Sequence, residues 1–216
     1  MKKLSDADVL KMAKKYRIPL AKTFLAKNEK QAVLFAKKAK YPVCLKISSQ
    51  DIVHKTESGG VILGIKDEKA LREGFQSLLK SARKKNRKAR IDGVLVQELV
   101  YGDTELIIGA KTDPQFGPVL MFGLGGIFVE VIKDVAFRLA PVDRKEVQDM
   151  IKETKGYKIL QGARGRKPAN MKAIEDILLS VSKMVWANKR IKELDLNPVF
   201  ANEKKAIAVD MRVMVE

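Results

Sequence analysis

The chain has 216 residues, 46% of them hydrophobic and 32% charged, and its formal charge is +17. That is enough apolar material to bury a core, in one large domain or two small lobes, and it argues against disorder. Met1-Lys2-Lys3 begins like a signal peptide, but Leu4-Ser5-Asp6-Ala7-Asp8 follows where an apolar run is required, and no stretch approaches the roughly 18 apolar residues of a membrane span.

The expectation is therefore a soluble, cytoplasmic protein with no membrane partner. The charge invites a nucleic-acid reading, because Lys and Arg release counterions from phosphates. The lysines, however, are spread over nearly every predicted helix, and the one dense run, Lys84-Lys85-Asn86-Arg87-Lys88-Ala89-Arg90, holds no aromatic residue for base stacking. No specific nucleic-acid partner is expected. A polyanionic small ligand or an acidic partner subunit would suit the charge equally well, and the abundance of Lys, Arg and Glu also fits a thermophile's surface. Cys44, the lone cysteine, reads as a small core residue inside a strand.

In chain order, Ser5-Asp6-Ala7-Asp8 starts a short helix through Tyr16 in the manner of a capping box, with Asp in place of the usual Glu or Gln, and Pro19 closes it off. Asn28 caps a second helix whose apolar positions Ala32, Val33, Phe35, Ala36 and Ala39 favour one side. Pro42 to Ile47 and Val61 to Ile65 read as strands, separated by a polar, glycine-terminated loop that carries the only histidine, His54. A helix from Asp67 to about Lys84 precedes the strand Gly93 to Val100. From Glu105 the strands become closely spaced: Glu105 to Thr112, Pro118 to Phe122, Phe128 to Ile132 and Phe137 to Ala140. They turn at Asp113-Pro114, Gly123-Leu124-Gly125-Gly126 and Lys133-Asp134, which predicts an antiparallel sheet. Helices near Arg144 to Thr154 and Met171 to Asn188 precede two last strands, Lys192 to Phe200 and Lys205 to Val213. The pattern predicts an α+β fold with an N-terminal helical arm (1–19) and two lobes (20–98 and 99–216) with a cleft between them.

Four stretches carry polar groups at strand ends or glycine turns. Lys46 follows apolar Val43-Cys44-Leu45 and could neutralise a phosphate. Ser58-Gly59-Gly60 closes the histidine loop with glycines that let N–H groups turn toward an anion, or simply make a tight turn. No Gly-Lys-Ser/Thr follows, so this is not a Walker loop. Gln97-Glu98-Leu99-Val100, followed by Gly102 and Glu105, lies where a strand passes between lobes, and its backbone groups would suit a purine edge. Finally, Asp195 and Asn197 share one strand face by the period of two, with Asp210 on the next strand. Those hard oxygens could converge on Mg²⁺, or satisfy structural partners instead. His54, flanked by Asp51, Lys55, Thr56 and Glu57, reads as solvent-facing.

Taken together, Pro42-Val43-Cys44-Leu45-Lys46, His54-Lys55-Thr56-Glu57-Ser58-Gly59-Gly60-Val61, Gln97-Glu98-Leu99-Val100, Asp113-Pro114-Gln115-Phe116-Gly117-Pro118, the run Phe122 to Glu130 and Leu194-Asp195-Leu196-Asn197-Pro198 resemble the ATP-grasp subunit of ADP-forming acetyl-CoA synthetases. The resemblance covers nearly the whole length, and it is to the separate β subunit found in archaea. It implies an ATP-grasp fold that binds ATP or ADP with Mg²⁺ between its lobes. It also implies a separate CoA-binding α subunit as partner, in an α2β2 assembly. His54 would be a phosphohistidine that carries phosphate from a histidine of the α subunit. Lys46 would bind nucleotide phosphates, Glu98 and Val100 would offer backbone groups to adenine, and Glu105 would reach the ribose. Asn197 and Asp210 match the Mg²⁺ ligands of the succinyl-CoA synthetase relatives, while Asp195 stands where those relatives carry Glu. The turn Gly123 to Gly126 would shape the cleft or the α-subunit docking face. A stand-alone ATP-grasp carboxylate ligase and an inactive basic binding module remain as alternative readings.

Overall fold

Alternation of apolar and polar residues decides which face of each strand is buried, and two antiparallel sheets result. The computed structural model describes residues 1–52, 59–126, 132–162 and 167–216. The chain divides into two units, one of residues 3–10 and 21–99, the other of residues 1–2, 11–20 and 100–216. Residues 1–20 are shared between them. They hold a short strand β1 (Lys2–Lys3) and a helix α1 (Asp6–Lys15), whose start is capped by Ser5: its hydroxyl accepts the Asp8 N–H at 3.1 Å.

The smaller unit runs β2 (Thr23–Ala26), α2 (Glu29–Ala39), β3 (Val43–Ser49), β4 (Val61–Ile65), α3 (Glu68–Lys85) and β5 (Ile91–Glu98), with strand order β2-β5-β3-β4. Asn28 caps α2 by accepting the Gln31 N–H at 3.0 Å, and Asp67 caps α3 by accepting the Ala70 N–H at 2.8 Å. Val43, Leu45 and Ile47 of β3 and Val94 and Val96 of β5 pack with Ala32 and Ala36 of α2 and Leu71, Phe75 and Leu78 of α3. Burying one such Val, Leu or Phe contributes about 1.5–3 kcal/mol. By the period of two, Cys44, Lys46 and Ser48 point to the other face of β3, where they too are buried.

The larger unit runs β6 (Thr104–Asp113), β7 (Gly117–Leu124), β8 (Val135–Leu139), α4 (Arg144–Glu153), a single turn α5 (Tyr157–Leu160), α6 (Met171–Ala187), β9 (Ile191–Ala201), β10 (Ala206–Ala208) and β11 (Met211–Val215). Its sheet has the order β1-β11-β9-β6-β7-β8, with β10 also on β9. Leu106 and Ile108 of β6, Leu120 and Phe122 of β7 and Leu194 and Leu196 of β9 are buried on the face that α4 and α6 cover. Among the described residues no helix is long and apolar enough to cross a membrane.

The antiparallel sheet expected after Glu105 is present, with β6 paired to β7 and β7 to β8. The expected strand Phe128 to Ile132 falls almost entirely outside the described residues. The last expected strand, Lys205 to Val213, is in fact two. It breaks at Val209–Asp210, so Asp210 sits just before β11 rather than on a strand. Neither β2 nor α5 was anticipated.

The end of β7 is held by a close fit. The buried Asp134 carboxylate accepts the Lys155 and Gly156 N–H groups at 2.8 and 2.7 Å, and this draws Gly156 against Leu124. A Cβ at Gly156 would meet the Leu124 side chain at 2.5 Å. Gly156→Ala is therefore expected to destabilise the protein by about 1–3 kcal/mol, the usual range for overpacking. Thermal unfolding would register this as a fall in Tm of roughly 2–4 °C per kcal/mol; an unchanged Tm would mean that the β7 end yields freely.

Candidate functional site

The β9 register supplies the first feature. Leu106 pairs with Val199 but Ile108 pairs with Leu196, so β9 carries one extra residue and Asn197 and Pro198 stand against Ile107 alone. This is a β-bulge, a location that tolerates a proline because no ladder N–H is required there. On the other side of β9, Ala208 pairs with Val199 and Met211 with Leu196, which places Val209 and Asp210 opposite Pro198 and Asn197. The Val209 N–H donates to the Pro198 carbonyl at 2.8 Å and closes the gap. Asn197 is exposed and Asp210 half-buried. The Asp210 carboxylate accepts only its neighbour's N–H, from Met211 at 3.1 Å, among the described residues.

Asp195, two residues before Asn197, lies on the same face of β9, turned away from Leu194 and Leu196. Arg212 of β11 is its direct cross-strand partner, with Nη2 4.0 Å from Oδ2. Burial pushes the Asp195 carboxyl above the ordinary aspartate range; the Arg212 guanidinium pulls it back, and Asp210 and Glu193 add to the rise. Asp195, Arg212, Ile107, Gly109 and Met121 line a depression of about 900 Å³ on this helix-free face.

Glu105 lies on the same face, by its parity with Ile107 and Gly109, and pairs with Phe200 across the sheet. Its carbonyl accepts the Gly125 N–H at 2.7 Å, and its side chain lies over that glycine. A Cβ at residue 125 would come within 2.7 Å of Glu105 Cγ. The glycine turn after β7 thus makes room for the Glu105 carboxylate, a role that its composition alone did not reveal.

Two further candidates belong to the smaller unit. Lys46 is 8% exposed, in the middle of β3, on the face away from α2 and α3. Glu98 ends β5 beside Lys22. Its N–H donates to the Lys22 carbonyl at 3.0 Å, but the Lys22 N–H returns to the Glu98 carboxylate at 2.9 Å instead of to the Glu98 carbonyl. The carboxylate thereby leaves its own carbonyl oxygen outside the ladder, where it can accept a hydrogen bond. Glu98 can offer an acceptor but no backbone donor. Val100 makes no backbone hydrogen bond among the described residues. His54 lies outside the described residues, as do Arg164 and Arg166.

The structure therefore gathers Asn197, Asp210 and Asp195 into one patch, with Glu105 further along the same face. Arg212 and the Lys22–Glu98 exchange went unassigned in the sequence. The first was signalled only by its spacing of two from Asp210, and the second depends on a contact between residues 76 positions apart. Among the described residues no three His, Cys, Asp or Glu side chains form a metal-binding group. One carboxylate and one amide oxygen nevertheless fit Mg²⁺, which takes one or two protein ligands and completes its shell with phosphate and water.

A family model for the ATP-grasp domain matches residues 1–215. The chain belongs to the ATP-grasp family, among the ADP-forming acyl-CoA synthetases. It is 43% identical, over 98% of its own length and 91% of the relative's, to the acetate–CoA ligase [ADP-forming] I subunit beta of Pyrococcus furiosus. It is also 49% identical to the 4-hydroxybutyrate–CoA ligase [ADP-forming] of Nitrosopumilus maritimus, matching over 93% of itself but spanning only 29% of that longer chain. The dinucleotide-forming acetyl-coenzyme A synthetase 1 of Ca. Korarchaeum cryptofilum, solved with coenzyme A, Ca-AMPCP and HgCl+, superposes with a TM-score of 0.95 at 41% identity, covering 100% of this chain and 94% of that one. The same protein solved with coenzyme A and Mg-AMPPCP, its phosphohistidine segment pointing towards the nucleotide-binding site, gives 0.86 at 38% identity, covering 100% and 93%.

Asn197→Ala and Asp210→Ala are each expected to weaken binding of Mg²⁺-nucleotide roughly tenfold or more, as loss of even an outer-sphere partner does in metal sites. Because both residues sit at partly open positions, stability should change by no more than about 0.5 kcal/mol. Calorimetric titration alongside thermal unfolding separates the two effects. Full affinity in both variants would leave the pair a purely structural feature of the bulge.

Proposed function

We propose that this chain is the nucleotide-binding subunit of an ADP-forming acyl-CoA synthetase. It moves a phosphoryl group, by way of His54, between a CoA-binding partner subunit and ADP. The overall reaction is acetyl-CoA + ADP + phosphate giving acetate + ATP + CoA. The observation that supports it best is the bulge in β9, which sets Asn197 against Asp210 on a helix-free sheet face. On that same face Glu105 lies to one side of the pair, and Asp195 and Arg212 lie to the other.

Each proposed role follows from chemistry. The free Glu98 carbonyl accepts from an exocyclic amine such as that of adenine, and the Val100 N–H supplies the donor that Glu98 cannot. Glu105, fixed over Gly125, accepts from ribose hydroxyls. Lys46 neutralises phosphate charge. Mg²⁺ held by Asn197 and Asp210 offsets phosphate charge and supplies the electrostatic stabilisation that phosphoryl transfer requires. A neutral imidazole is a competent nucleophile, and His54 uses a ring nitrogen to attack the phosphorus of the partner's phosphohistidine, forming one P–N bond as the other breaks. The ADP terminal phosphate oxygen then attacks, the new P–N bond breaks as a P–O bond forms, and the imidazole is released neutral.

The partner is proposed on the same footing. The Pyrococcus relative is a separate β subunit of nearly this length, whereas the Nitrosopumilus relative carries its matching segment within a chain more than three times as long. The first arrangement supports a separate CoA-binding α subunit, with which this chain would form an α2β2 complex. Sequestering these steps in an archaeal, heat-adapted cell fits the composition.

If His54 is the shuttle, His54→Ala should bind Mg·ADP within about twofold of wild type, since a nucleophile adds a reaction step rather than affinity. It should also fail to pass label from phosphorylated partner subunit to ADP. Mixing the variant with ³²P-labelled partner and following label into ATP reads this directly. Transfer at the wild-type rate would remove His54 from the mechanism.

A further inference from the structure

Arg212 has no place in the roles assigned above, yet it is the cation nearest the bulge on this sheet face for which a position is fixed by strand pairing. Read along β9, the face has an order. Phe200 pairs with Glu105, Asn197 stands opposite Asp210, and Asp195 pairs with Arg212. A nucleotide with its ribose at Glu105 and its metal-bound phosphates at Asn197 and Asp210 would continue toward Arg212 at its terminal end.

The reach is adequate. Asp210 and Arg212 are two residues apart, about 7 Å along the chain. A phosphate oxygen and a carboxylate oxygen on one Mg²⁺ would lie within about 4 Å of each other, the sum of two metal–oxygen bonds of about 2 Å each. An arginine side chain spans the remainder. Its guanidinium is also available. The contact to Asp195 is 4.0 Å, beyond hydrogen-bond range, and Arg212 donates no side-chain hydrogen bond among the described residues. About a third of the side chain is exposed, at 37%. Asp195 thus steers the guanidinium across the strand pair without consuming its donors, and a planar five-donor fork matches the oxygens of a phosphoryl group.

We propose that Arg212 grips the terminal phosphoryl group of the nucleoside triphosphate, the group that is transferred, and that Asp195 positions it. This rests on the nucleotide reading above and names a residue which that reading leaves without a task. A strand-pairing role alone would make Arg212 indifferent to the number of phosphates. A terminal-phosphoryl role makes it discriminate between triphosphate and diphosphate.

The test is calorimetric titration of the isolated chain with Mg·ADP and with a non-hydrolysable Mg·ATP analogue, for wild type, Arg212→Gln and Arg212→Lys. The glutamine variant should bind the triphosphate on the order of tenfold or more weakly, the loss typical of a charged hydrogen-bond partner, while binding the diphosphate within about threefold of wild type. Arg212→Lys, which keeps the charge but not the fork, should fall between; it also carries the test if the glutamine variant does not fold. Equal losses for both nucleotides, or no loss for either, would overturn the assignment. A wild-type chain that binds neither nucleotide would overturn the functional reading itself, and this inference with it.

Discussion

The layout of the larger unit's open face turns on one extra residue in β9. Leu194 and Leu196 face the helices; without the bulge, parity would send Pro198 and Phe200 after them. With it, Val199 and Ala201 become the buried pair. Phe200 is thereby turned to the helix-free side, which Asn197 already shares with Asp195. The extra residue disturbs the ladder, and a buried unpaired backbone group is costly. The structure limits that cost in two ways. Pro198 has no N–H to satisfy, and its carbonyl is paired by Val209. The neighbouring chain breaks its ladder at the same level, between β10 and β11, but keeps one register with β9 on both sides of the break, so Asn197 stands opposite Asp210. A regular ladder would have held both backbones flat and given neither side chain a turn in which to approach a ligand.

The two sheets use the same division of labour. One face of each meets helices and is apolar; the polar groups with a proposed chemical role stand on the other face or at strand ends. In the smaller unit this leaves Lys46 on a strand whose every residue is buried. An ammonium in such a place needs anionic or polar company, which is consistent with the proposed contact to phosphate. At the end of β5 the logic is local: Glu98 spends its side chain on the Lys22 N–H, and its backbone acceptor is left for something else. In the larger unit Gly125 gives up a side chain so that Glu105 can lie flat across the turn. In each case a residue is chosen for what it keeps unoccupied in its neighbour.

Much of this was legible in the sequence, for identifiable reasons. Caps at Ser5 and Asn28 were readable because capping is local chemistry, decided within four residues. The antiparallel strands after Glu105 were readable because alternation and turn residues repeat over short distances. The pairing of Asn197 with Asp210 was anticipated in residue type but not in geometry. The spacing Leu194-x-Leu196-x-x-Val199-x-Ala201 does contain the bulge, as a gap of two where one is regular, but a single irregular gap also reads as a polar surface position. The break at Val209–Asp210 was missed because Ala206 to Val213 is apolar except at Asp210 and Arg212, whose spacing of two fits a continuous strand. Arg212 could not be assigned from sequence, since its meaning comes from Asp195, which lies seventeen positions away and meets it only through strand pairing. The Lys22–Glu98 exchange is hidden for the same reason.

The charge of the whole chain is a poor guide to this site. At physiological salt, exposed charges farther apart than about 8 Å are largely screened, so a total of +17 spread over the surface does little at any one point. Within contact range the larger unit's open face is acidic, with Glu193 and Asp210 close enough to Asp195 to add to the rise that burial causes in its carboxyl. Such a face repels bare phosphate. On the proposed reading it would accept phosphate that arrives with a divalent cation, which offsets the carboxylates while the Arg212 guanidinium meets the oxygens the cation does not. Selection for the metal-bound nucleotide would then rest on a small local excess of negative charge inside a strongly basic chain, and Arg212, beyond Asn197 and Asp210, would keep that excess from excluding the group to be transferred.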